Sequence, residues 1–136
     1  MYYLITNIRL TDGNGNILKK LYDIHYVNSD NINSNNIFMP EILNAGKYEN
    51  IEFVFGLNNS DNISNNYINQ DFHSQMFWPE FMGGGYHYMK LEGKFDNENS
   101  FYATHTGGLN GTDFSITKSF PINIISSENG RTHDIR

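Results

Sequence analysis

Apolar residues alternate with polar ones in short runs along this chain, and the three-to-four-residue spacing of an amphipathic helix is hard to find. YYLITNIRL (2–10) reads as a strand, and DGNGN (12–16) as a turn whose Gly and Asn residues accept positive φ. ILKKLYDIHYV (17–27) is a second strand with irregular alternation, followed by a polar loop at 28–36. IFMPEIL (37–43) is a short segment broken by Pro40. After the turn NAG (44–46), YENIEFVFGL (48–57) is a strand. A long Asn-rich connection fills 58–72, a length that is usually functional or mobile. GYHYMKLEGKF (85–95), FYATHTG (101–107) and FSITKSFPINII (114–125) are strands, joined by the turns DNENS (96–100) and GLNGTD (108–113). The tail from 126 reads as a further turn and the opening of a strand that stops short. About seven strands with regular turn signals predict an all-β antiparallel sandwich, immunoglobulin-like or jelly-roll-like, with little or no helix. No internal repeat is visible, and the Ile, Phe and Tyr set among the asparagines mark solvated loops of a folded domain.

The chain has 136 residues, which fits a single domain over 1–136 with a real core. Its formal net charge of -6 argues against a nucleic-acid partner, whose backbone demands a basic face. No apolar run approaches the ~20 residues that span a bilayer. There is no cysteine, which removes disulfides, thiolate zinc sites, iron–sulfur clusters and cysteine nucleophiles. A metal site here must use His, Met, carboxylate or backbone oxygen.

The chemistry-bearing residues concentrate in MFWPEFMGGGYHYMKLEGKF (76–95). Strand alternation puts His87 on one face with Met89 and Leu91, and Tyr86, Tyr88 and Lys90 on the other. A histidine among apolar neighbours is either a hydrogen-bonded core residue or a ligand, because leaving it unpaired costs ~1–3 kcal/mol. His105 shares a face with Phe101 and Ala103, read as the inward one, and lies at a strand end where it either caps a turn or lines a rim site. The simplest hairpin pairs Phe95 with Phe101. It sets His105 opposite Leu91 and leaves His87 roughly 13 Å along the strand at ~3.3 Å per residue. A metal shared by the two then requires a β-bulge, a longer loop, or a site bridging non-adjacent strand ends. His25 and His73 are weaker candidates, and His133 lies in a polar tail.

Met76, Met82 and Met89 supply thioether sulfur suited to Cu(I), although methionine more often fills core gaps. Gly83-Gly84-Gly85 allows a sharp fold or the close approach of a partner, and is not a phosphate loop, since no helix with Lys-Ser/Thr follows. Trp78 is a core anchor, a stacking platform or an oxidisable side chain. Glu41, Glu80 and Glu92 offer no spacing that selects a glycosidase pair, and no hydrolase motif is present.

An ordered series of segments carries a resemblance: YLITNIRLTDGNGN, AGKYENIEFVFGLN, MFWPEFMGGGYHYMKLEGKF and YATHTGG. It is similar to the MbnP-like copper-binding domain family, that of the methanobactin-associated periplasmic protein, across about residues 2–120. The resemblance implies a β-sandwich, periplasmic or carried as an outer-membrane or extracellular lipoprotein, and linked to copper acquisition or handling. In some relatives a partner dihaem enzyme oxidises a tryptophan to kynurenine, whose product helps hold Cu(I). On this chain it implies His87 and His105 as metal ligands, Trp78 as the oxidation site, and Met76 and Met82 as supporting sulfurs.

Two functions follow as expectations. The first is a non-enzymatic copper-binding protein in which two imidazoles hold Cu(I), with binding failing below about pH 5–6 as histidines protonate. The alternative is a non-catalytic carbohydrate- or protein-interaction module. It requires an exposed aromatic surface of Trp78, Tyr86, Tyr88 and Tyr102, and histidines that do not converge.

Overall fold

The computed structural model describes residues 1–38, 43–96 and 100–126. The strands are β1 (Tyr2–Thr11), β2 (Ile17–Asn28), β3 (Gly46–Phe55), β4 (His87–Phe95), β5 (Ser100–Gly107) and β6 (Ile116–Ser126). Among the described residues helix is confined to one turn, α1 (His73–Met76), and to 3₁₀ turns at Ile32–Asn35 and Glu80–Met82. The all-β class read from alternation is the class observed. Six strands form among the described residues. The further strand expected after 126, the turn residues 97–99 and most of the Pro40 segment lie outside those residues. No helix among them is long and apolar enough to cross a membrane.

Every pairing is antiparallel, and β1 organises the sheet. One edge of β1 pairs with β2 from Tyr2 to Thr11. Its other edge is divided: Tyr2 and Tyr3 pair with Lys90 and Met89 of β4, while Ile5 to Thr11 pair with β3. β5 extends the first branch beyond β4, and β6 the second beyond β3. The β1–β3 register slips between Thr6 and Arg9, where Asn7 takes a φ of 51°. Asparagine tolerates that left-handed conformation better than most side chains. Its amide also donates to Asp61, which ties the kink to the Asn-rich connection.

Alternation along β1 buries Leu4, Thr6, Ile8 and Leu10. Leu4 joins Leu57, Phe72, Met76, Tyr86 and Tyr88 in one core cluster. Leu10 joins Tyr48 and Ile124 in a second. The first cluster underlies β4, so the strand that carries His87 is anchored by the tyrosines on either side of it. Tyr86 and Tyr88 are 0% and 1% exposed, and burying residues of that size contributes roughly 2–3 kcal/mol each.

The connection 58–72 is ordered by specific bonds. Tyr86 N–H donates to Asn62 Oδ1 at 2.7 Å, Gly85 N–H to Ser64 Oγ at 2.8 Å, and Tyr67 N–H to Tyr86 Oη at 2.9 Å. The asparagine-rich loop therefore clamps the segment that leads into β4.

Candidate metal centre

The stretch 77–87 folds back on itself. Phe77 bridges Tyr86, and Trp78 N–H donates to the Gly85 carbonyl at 2.9 Å. A 3₁₀ turn at Glu80–Met82 closes the loop, with Gly84 N–H donating to Pro79 O. Gly83, Gly84 and Gly85 have φ of 145°, 77° and 75°, three successive positive values that only glycine adopts without strain. The loop lays the Trp78 indole against His87, with ring centroids 4.3 Å apart and planes 28° from parallel. A Cβ on Gly107 would stand 2.4 Å from Trp78 Cζ3, so the indole occupies the space that a side chain at 107 would take.

His105 meets His87 from β5, with ring centroids 4.7 Å apart and planes at 64°. The register that brings them together differs from the one expected. Phe95 pairs with Ser100, not Phe101, and Lys90 stands opposite His105. The ladder then slips: Met89 pairs with Thr106, but His87 pairs with Gly107. The extra residue is Tyr88, a bulge that shortens the separation along the strand and shifts the alternation by one. His87 thereby joins the side of β4 that carries Lys90 and Glu92, and leaves the side assigned by strict alternation. That side also faces away from the core. Phe101 is 79% exposed, and His105 and Ala103 are exposed, which corrects the inward reading of this β5 face. His87 is nevertheless 6% exposed, as the Trp78 loop covers it.

His87 Nδ1 is buried without a hydrogen-bond partner, and so is Trp78 Nε1. Burial, followed by the positive charges of His105 and Lys90, pushes the His87 imidazole down to about 4. It is therefore neutral, with a lone pair available, across the neutral range. His105 Nε2 lies 2.6 Å from Glu92 Oε1, and Lys90 Nζ lies 3.5 Å from the same oxygen. The His105 hydrogen bond, together with Lys90, holds the Glu92 carboxyl below its ordinary value.

Of the residues singled out from the sequence, His87, His105 and Trp78 come together here. Met76 is fully buried in the core cluster with Phe72 and Tyr86, and Met82 is 51% exposed on the Trp78 loop. His25 Nε2 donates to Ser34 O, and His73 Nδ1 pairs with Tyr86 Oη. His133 and Glu41 lie outside the described residues. The aromatic surface required by the interaction-module expectation is not assembled, because Tyr86 and Tyr88 are core residues and Trp78 lies flat on His87. A cleft of about 390 Å³ lies nearby, lined by Asn59, Asn62, Ser64, Glu80 and the glycines. Asn59, Asn62 and Ser64 there already bond the neighbouring backbone. Sequence reasoning missed Glu92 as a partner of His105. Its only signal was the two-residue step to Lys90, which becomes meaningful once the register is known.

Among the described residues no cluster of three or more His, Asp or Glu side chains is placed to hold a metal. The site offers two imidazoles, that of His87 covered by the indole, a donor set that fits an ion content with few nitrogen ligands. Zinc prefers four ligands, and calcium six to eight oxygens.

The fold and site together define an all-β protein in which a covered histidine on β4 meets an exposed one on β5. The chain belongs to the MbnP family, whose model matches residues 1–136. Membership links it to a methanobactin-associated, copper-related role. No curated protein matches it, and neither does any solved structure.

Proposed function

We propose that the protein is a non-enzymatic copper carrier that binds one Cu(I) between His87 and His105 and serves in copper acquisition or handling. Family membership supports a periplasmic or lipoprotein setting for that task, and a dihaem partner that oxidises Trp78. The observation that carries the reading is the unpartnered, buried Nδ1 of His87 beside the His105 ring. A buried polar atom without a partner is costly, and a soft cation would satisfy it. In this reading His87 and His105 donate neutral nitrogen. Until such oxidation the Trp78 indole covers His87 and excludes water from one side, and Gly107 leaves room for it. Bound copper supplies a soft Lewis acid in its reduced state.

The test is anaerobic Cu(I) titration against a competing chelator. Wild type is expected to take up one equivalent, and His87→Ala and His105→Ala each to lose it. Weak uptake that is unchanged in both variants would overturn the assignment and leave these histidines as structural residues.

A further inference from the structure

We propose that Glu92 is a positioning residue for the metal site: it fixes the tautomer of His105 that leaves Nδ1 as the metal-facing nitrogen. The inference rests on the copper reading but has a consequence of its own in the metal-free protein.

An ionised carboxylate only accepts hydrogen bonds. With Glu92 Oε1 2.6 Å from His105 Nε2, the hydrogen must sit on Nε2. The neutral ring then carries its lone pair on Nδ1. A free imidazole exchanges between both tautomers, and half of its metal-binding capacity points the wrong way in each. The carboxylate removes that choice and orients the ring. It also increases the basicity of the opposite nitrogen, as outer partners of ligand histidines commonly do.

Glu92 is exposed, and an exposed glutamate samples several rotamers unless something holds it. Lys90 does so. Its side chain is only 17% exposed, and its ammonium lies 3.5 Å from the oxygen that His105 uses. The three side chains sit where the ladder puts them: Lys90 opposite His105, and Glu92 opposite Ala103 on the same side of β4. The bulge at Tyr88 then brings His87 to this side as well. One strand thus supplies a ligand, the group that orients the second ligand, and the cation that holds that group in place.

The first measurement is long-range proton–nitrogen correlation on ¹⁵N-histidine-labelled metal-free protein, at a pH above the histidine range. In wild type, His105 is expected to show its hydrogen on Nε2. Glu92→Ala, which offers no acceptor, and Glu92→Gln, whose amide can donate as well as accept, are both expected to give a tautomer mixture. In Cu(I) competition, Glu92→Ala should weaken affinity by roughly 10- to 100-fold. Glu92→Gln should weaken affinity as well although it keeps the size of the side chain, a loss that mere bulk at position 92 does not explain. A hydrogen on Nδ1 of wild-type His105, or a Glu92→Ala variant with unchanged spectrum and affinity, overturns the proposal. If wild type takes up no Cu(I), the copper reading falls, and the tautomer in the metal-free protein still decides whether Glu92 sets the ring.

Discussion

His87 is held where its charged form is most disfavoured, and this shapes how the folded state responds to acid. Its folded-state value of about 4 lies below the ordinary 6.5. Above pH 6.5 the imidazole is neutral in both folded and unfolded chains, and the full stability is present. Between 6.5 and about 4 the unfolded chain takes up a proton that the folded chain refuses, so stability falls as pH falls. Below about 4 both states are protonated and the loss levels off. The whole window amounts to about 3 kcal/mol at ~1.4 kcal/mol per pH unit. Urea unfolding between pH 8 and pH 4 should show this decline in wild type and a flatter curve in His87→Leu, which has no proton to gain. Equal slopes in the two proteins would mean that the imidazole is not shielded as described. The same shift bears on the expected loss of binding near pH 5–6. His87 stays unprotonated down to about 4, so it does not set that limit.

At the scale of elements, the decisive feature is the joint between the Trp78 loop and the β4–β5 hairpin. The strands themselves were legible in the alternation of YYLITNIRL and FSITKSFPINII, because a half-buried strand writes its two faces into the sequence. The MFWPEFMGGGYHY segment stood out because it gathers the tryptophan, methionines, glycines and a histidine, and the structure lays Trp78 against His87. The bulge at Tyr88 was not legible. A one-residue slip leaves composition and turn signals untouched and shows only in which partner each residue meets. Together with the Phe95–Ser100 register it shortens the roughly 13 Å expected at ~3.3 Å per residue, and it turns His87 to the side where the rings meet. The clamp from Asn62 and Ser64 was equally hidden, since polar loop residues carry no periodicity. The joint makes a specific demand on Gly107, where an added Cβ would meet the indole at 2.4 Å. Gly107→Ala should therefore displace Trp78. A cost of about 1–3 kcal/mol is expected for overpacking a filled site. Thermal unfolding and tryptophan emission check it, with a lower midpoint and a red shift as the indole moves into water. Unchanged emission would show that Trp78 is not seated against Gly107.

Across the whole molecule, β1 divides the work. Its Thr11 end supports β3 and β6 over the Leu10 cluster, while its Tyr2 end holds β4 and β5 over the Leu4 cluster. The β4–β5 branch is fixed by Tyr86 and Tyr88 beneath and by the Asn-rich connection alongside, so His87 sits on an anchored strand and His105 on its neighbour, and neither is carried on a loose loop. In the proposed function one copper ion is held there by two imidazoles, with Met76 committed to the core and Met82 at the surface. X-ray absorption at the copper edge of the Cu(I)-loaded protein tests this most directly. A low-coordinate site is predicted, with two nitrogens showing the outer-shell scattering of imidazole, no sulfur at bonding distance, and loss of that signal in the His87→Ala, His105→Ala double variant. A sulfur-dominated shell, or a spectrum that survives the double variant, would contradict it.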